Sequence, residues 1–99
     1  MISGSRLSIC MADLAKAMGH TLRIKILHEL AMGSCIVSEL MDRLAVEATL
    51  LSKHLAVLRE AGIIECEAEW RCRRYYLRNP DAVVAVLTAL SDASQGSEK

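Results

Sequence analysis

The chain has 99 residues, which is one domain's length and provides only a modest core. Apolar residues make up 53% of it and charged residues 24%, more apolar material than one small core holds. A second copy of the chain is the economical cover for the surplus. Formal net charge is zero and the aromatics are one Trp and two Tyr. That excludes a bulk-basic protein and the stacking platform of a single-strand binder, so any nucleic-acid contact must come from a local cluster of cations.

Read in chain order, Leu7, Met11, Leu14 and Met18 recur at helical spacing, with Cys10 on the same stripe. Gly19-His20-Thr21 interrupts the pattern, and Thr21 is expected to cap a second helix from Leu22 to Ala31. Gly33-Ser34 ends it, and a third helix is expected over Ile36–Leu44. A fourth, about Glu47–Ala61, carries Leu51, Leu55 and Leu58 on one side and Thr49, Ser52, Lys53 and Ala56 on the other.

After Gly62 the period becomes two. Ile64, Cys66 and Ala68 alternate with Glu65, Glu67 and Glu69, and RCRRYYL follows as the second strand of a hairpin. Asn79-Pro80-Asp81 stops the strand and opens a last helix, about Asp81–Ala93, whose AVVAVLTAL is apolar nearly all round. The pattern predicts a mainly α domain with a small β-hairpin over residues 1–93, followed by a polar tail at 94–99. Two short helices, a tight turn, an amphipathic helix with a polar outer face and a basic hairpin make a winged helix-turn-helix.

Over residues 14–77 the sequence resembles the ArsR/SmtB family of bacterial repressors. LAKAMGHTLRIKILHEL is similar to the family's second helix, and SELMDRLAVEATLLSKHLAVLREAGII to its helix-turn-helix. SKHLAVLREAGI is the most specific part, and EWRCRRYYL resembles the end of the wing. The resemblance implies the order α1-α2-α3-α4-β1-β2-α5, a homodimer formed by the first and last helices, and release from DNA when an inducer binds. The chain departs from the pattern at three positions. Thr21 stands in place of a proline, Trp70 in place of a wing-turn glycine, and Glu47 in place of a serine near the DNA.

Thr49, Ser52 and Lys53 are the first candidates for contact with bases and phosphates, because hydroxyls and amines suit both. His54 matches a histidine common in the family, and a packed structural role suits it equally. Arg71, Arg73 and Arg74 form the densest positive cluster and suit a narrow minor groove, with cross-strand pairing to Glu65, Glu67 and Glu69 as the competing role. The expected partner is double-stranded DNA with an inverted repeat. A winged-helix protein-interaction domain without DNA binding is the alternative, favoured by the zero net charge and Glu47. A thiol enzyme using Cys35 with His28 or His54 has no nucleophile elbow, phosphate loop or metal-ligand cluster behind it, so the chain is not expected to be an enzyme.

The last-helix zinc site of the family uses Asp and His, and here that helix offers Asp81 and Asp92 without a His. In place of the family's Cys-x-Cys pair there is one shifted cysteine, Cys35. No standard metal site is expected. Cys10 and Cys35 are the candidates for a thiol-directed inducer, either a thiophilic ion such as arsenite or cadmium or an oxidant or persulfide. A sensing cysteine is expected to have a lowered pKa or to lie near positive charge, which the start of the third helix can supply to Cys35. Strand alternation puts Cys66 and Cys72 on opposite faces of the hairpin, whereas a three-residue turn would bring them together. The absence of a CxxC pair, of a leader and of a membrane span points to a reducing cytoplasm.

Overall fold

The computed structural model describes residues 12–96. Residues 12–18 form helix α1, followed by α2 (Thr21–Ala31), β1 (Cys35–Ile36), α3 (Val37–Leu44), α4 (Ala48–Glu60), β2 (Ile64–Glu69), β3 (Cys72–Leu77) and α5 (Pro80–Gly96). This is a winged helix-turn-helix. Leu7 and Cys10, expected on the first helix, lie outside the described residues.

Each helix boundary has a chemical cause. The cap of α2 is His20 rather than Thr21, since the His20 Nδ1 accepts from the Leu22 N–H at 3.1 Å. The threonine is the first helical residue. At α3 the Glu39 carboxylate reaches back to the Ile36 N–H at 2.9 Å, satisfying one of the donors a helix start leaves open. α4 ends in a Schellman arrangement. Gly62, at φ +81°, donates to Arg59 O at 3.0 Å, and Ile63 donates to Leu58 O at 3.0 Å. α5 begins with Pro80, and the Asn79 side chain accepts from the Ala82 N–H at 3.3 Å. The helix runs three residues past the expected Ala93.

The sheet has three strands, one more than the expected hairpin, in the order β1-β3-β2 and antiparallel throughout. Ile36, the first residue of the expected third helix, and Cys35 before it form a strand instead, pairing with Arg74 and Tyr75. A two-residue strand has no period to read, which is why sequence pattern missed it. Its effect is to tie the base of the wing to the helix-turn-helix.

Glu69 pairs with Cys72, so the β2–β3 turn is Trp70-Arg71 alone. The turn is short despite the missing glycine. Trp70 takes φ +56°, the sign that the first central position of a type II′ hairpin turn requires. A bulky residue there costs about 1–2 kcal/mol. The register also puts Cys66 opposite Tyr75 and Cys72 opposite Glu69, on opposite faces of the ribbon, and both thiols are free.

The core is formed by Ile26, Leu27 and Leu30 of α2, Leu40 of α3, Leu51, Leu55 and Leu58 of α4, Ile64 and Leu77 of the sheet, and Val83 of α5. Burying the leucine stripe of α4 turns its other side to solvent, and Thr49, Ser52, Lys53 and Ala56 are all exposed. α5 is covered on one side only. Val83 is buried and Leu87 half-buried, whereas Val84, Val86 and Leu90 are exposed by 43%, 42% and 52%.

Candidate nucleic-acid interface

The exposed face of α4 and the exposed tip of the wing are the two places where the expected DNA-facing residues lie. Thr49, Ser52 and Lys53 lie within about one helical turn of each other on α4, with their side chains exposed. Glu47, the residue before α4, takes an extended conformation with an exposed side chain that makes no capping bond. A carboxylate there favours the helix N-terminus but opposes an approaching phosphate.

The three wing arginines part company. Arg74 is committed to protein: its Nε and Nη2 meet the two carboxylate oxygens of Glu69 at 2.9 and 3.0 Å, and Nη1 lies 4.0 Å from Glu39. Its other Nη1 contacts are the carbonyl and hydroxyl oxygens of Ser34, both at 3.4 Å. The cross-strand role holds for this residue, and it braces the wing against the strand before α3. Arg73 is exposed on the other face of the ribbon and, among the described residues, donates to the Cys66 sulfur at 3.4 Å. Arg71 is exposed at the tip, with its guanidinium carbon 4.5 Å from the centroid of the Trp70 ring. Arg71 and Arg73 therefore remain available as cations, and Arg74 does not.

His54 departs from its expected place among the DNA-facing residues. It is 8% exposed and sits on the inward side of α4 beside Leu51, Leu55 and Leu58. Its Nδ1 accepts from the Arg23 Nε at 3.0 Å, its ring lies 4.4 Å from that of His20, and Arg23 Nη1 donates to Ala17 O at 3.1 Å. Arg23 thus joins α1, α2 and α4 through one guanidinium. Sequence reasoning passed over Arg23, and the signal was the position of His54 three residues after Leu51 and four before Leu58. The bond requires a neutral imidazole with its proton on Nε2. Burial lowers the His54 pKa, and the neighbouring His20, Arg23 and Lys53 lower it further.

Cys35 is fully buried. Its sulfur accepts from Arg43 Nη1 at 3.2 Å and lies 3.6 Å from Gly33 O. Burial raises its pKa, Arg43 opposes that rise, and Glu39 and Glu29 add to it. The expected positive neighbour is present in Arg43, but the expected lowering of the pKa is corrected: desolvation by burial outweighs that guanidinium. Among the described residues no group of three or more His, Cys, Asp or Glu side chains is placed to hold a metal ion. Nor is any described helix long and apolar enough to cross a membrane.

With this geometry in view, residues 20–65 match the model of the bacterial regulatory protein, arsR family. The biofilm growth-associated repressor of Agrobacterium fabrum is 34% identical over 80 residues, covering 81% of this chain and 68% of that protein. The HTH-type transcriptional repressor SmtB of Mycobacterium tuberculosis is 32% identical over 83 residues, covering 84% of this chain and 62% of its own length. Among solved structures, HlyU from Vibrio cholerae superposes with a TM-score of 0.77 at 32% identity, over 87% of this chain and 92% of that one. The chain belongs to the ArsR family of bacterial transcriptional regulators, a family of DNA-binding winged helices rather than enzymes.

The His54 pKa gives a signed expectation for stability. The fold favours the neutral ring, so this contribution is complete above the unfolded value of about 6.5 and is lost as pH falls from there through the lower folded value. Urea unfolding at pH 7.5 and 5.5 is expected to show a lower midpoint at the acid pH. His54→Gln, which keeps an acceptor for Arg23 but does not titrate, is expected to reduce that difference. An undiminished difference assigns the pH effect elsewhere.

Proposed function

We propose that the chain is a homodimeric repressor that holds an inverted-repeat operator with α4 and the wing and lets go when a thiol-directed signal arrives. The observation that carries the DNA-binding half is the joint exposure of Thr49, Ser52 and Lys53 on α4 with Arg71 and Arg73 on the wing. Hydroxyls and an amine on a helix can enter a major groove while the wing arginines follow the backbone or a narrow minor groove. The positive groups are local, so zero net charge is no obstacle. The cytoplasm is where such a protein works.

The dimer rests on the bare side of α5. A groove of about 400 Å³ between α1 and α5 is lined by Leu14, Met18, Val83 and Val86, among others, and Leu14 is 39% exposed. A second copy related by a two-fold axis covers this surface on both subunits at once, burying apolar area that one chain alone leaves wet. Two recognition helices then address half-sites roughly 34–36 Å or a multiple apart.

The signal side rests on cysteine chemistry. The reading is supported by the position of Cys35 on β1, with its sulfur held by Arg43 of α3. A thiophilic ion such as arsenite or cadmium, or a persulfide, would take that sulfur from Arg43. Burial and the raised pKa mean that reaction waits on opening of β1.

Three measurements check this reading. Lys53→Ala and Arg73→Ala are each expected to weaken binding to a duplex selected from a random library by about 5- to 100-fold, with thermal melting unchanged. Glu47→Ser, which removes the carboxylate, is expected to tighten it. Unchanged affinity in all three removes the docking face and leaves the protein-interaction alternative.

Sedimentation is expected to show a dimer at micromolar concentration. Leu90→Glu should yield folded monomers, and it is a cleaner probe than Leu87, which packs against its own core. A folded wild-type monomer contradicts the dimer.

For the signal, Cys10 and Cys35 are replaced by Ser, singly and together, and release by arsenite and polysulfide is followed. Release is expected to be lost in the double variant. If it persists, sensing moves to Cys66 and Cys72. If it survives removal of all four cysteines, the thiol reading fails.

A further inference from the structure

The wing tip carries an arrangement that electrostatics alone does not explain. Trp70 is 87% exposed and occupies a positive-φ position, φ +56°, that a glycine would fill without strain. Both features act against the folded chain: the indole gains little from burial and the backbone is held in a conformation that a large side chain disfavours. The indole meets the Arg71 guanidinium over its ring, the carbon 4.5 Å from the centroid. Stacking of that kind restricts the arginine while leaving its N–H donors to face outward. Arg71 is otherwise without an ion pair among those of the described residues, whereas Arg74 and Arg78 are paired with Glu69 and Glu65.

We propose that Trp70 and Arg71 form a single DNA-contacting unit at the wing tip, with the indole seated against the sugar wall of the minor groove and the guanidinium inside it. The inference rests on the DNA-binding reading and extends it to a residue that charge and family pattern pass over. Each part has the chemistry for its place. A narrow minor groove concentrates negative potential, which favours a guanidinium. Its walls are deoxyribose, which offers apolar surface to a flat aromatic ring, and apolar side chains at this groove are a recurrent means of gripping duplex DNA. The indole N–H is a donor for a phosphate or a base acceptor. The turn has two residues, so both side chains project from the extreme end of the ribbon. The stack removes part of the arginine's freedom before binding, so less is lost on contact.

Trp70 is the single tryptophan of the sequence, and its emission reports on the wing tip directly. The test uses the full chain and a labelled 30-base-pair duplex selected by the wild type from a random library. Binding is followed by the anisotropy of the label and, separately, by tryptophan emission. Trp70 emission is expected to be quenched with the same midpoint as the anisotropy change. Trp70→Gly is expected to keep or raise the melting temperature, because glycine suits the turn, and to weaken binding about tenfold. Trp70→Asn, which also tolerates positive φ, is expected to behave alike. Arg71→Ala should cost less in the Trp70→Gly background than in the wild type, the coupling of a unit rather than of two independent contacts.

Tight binding by anisotropy with unchanged emission, and unchanged affinity in Trp70→Gly, overturns the wing-tip contact while leaving DNA binding in place. Failure to enrich any duplex overturns the DNA-binding reading and the contact together. A lowered melting temperature in both Trp70 variants with unchanged affinity overturns the proposal in favour of a purely structural tryptophan.

Discussion

The leucine stripe of α4 is buried against α2 and α3, and the orientation of the rest of the helix follows from that burial. Leu51 and Leu58 are fully buried and Leu55 nearly so, and they meet a core that includes Ile26, Leu27 and Leu30. Because a helix has 3.6 residues per turn, fixing that side inward fixes Thr49, Ser52 and Lys53 outward. The same burial brings His54 inward, where Arg23 holds it and is itself held by α1. The candidate DNA-facing surface is therefore a consequence of core packing, not an independent feature of the surface. The wing is placed by a second, smaller anchoring: β1 pairs with β3, and Arg74 reaches from the wing to Ser34 and Glu39.

Much of this was legible in the sequence. The spacing of Leu51, Leu55 and Leu58, the Gly62 stop and the Asn79-Pro80 start place α4 and α5 to within a few residues. The alternation of Ile64, Cys66 and Ala68 with glutamates gave the wing. What escaped were features with no period or with tertiary causes. β1 has two residues and is defined only by its partner strand. His20 caps α2 through a ring nitrogen, which competes with the more familiar hydroxyl of Thr21. Nothing local distinguishes the paired Arg74 from the unpaired Arg73. They differ because a pleated strand sends them to opposite faces, one toward Glu69 and one away from it.

The site was legible in outline and not in its electrostatics. The outward face of α4 followed from helical period alone. The state of Cys35 did not, because it depends on how desolvation weighs against one guanidinium and two carboxylates. Sequence position near a helix start suggested an activated thiolate, and full burial reverses the sign. His54 shows the same lesson. A histidine beside a core stripe can face either way, and the choice falls to whether a donor such as Arg23 is waiting on the neighbouring helix.

We propose that α4 and the wing tip form one continuous DNA-binding surface on this fold. It is tested most directly by backbone amide chemical-shift mapping of the labelled protein during titration with the selected duplex. The expected shifts fall on residues 47–56 and 69–74, with the buried amides of α2 around Ile26 and Leu27 left in place. Shifts confined to α5 and the α1–α5 groove, with α4 and the wing unperturbed, would contradict it.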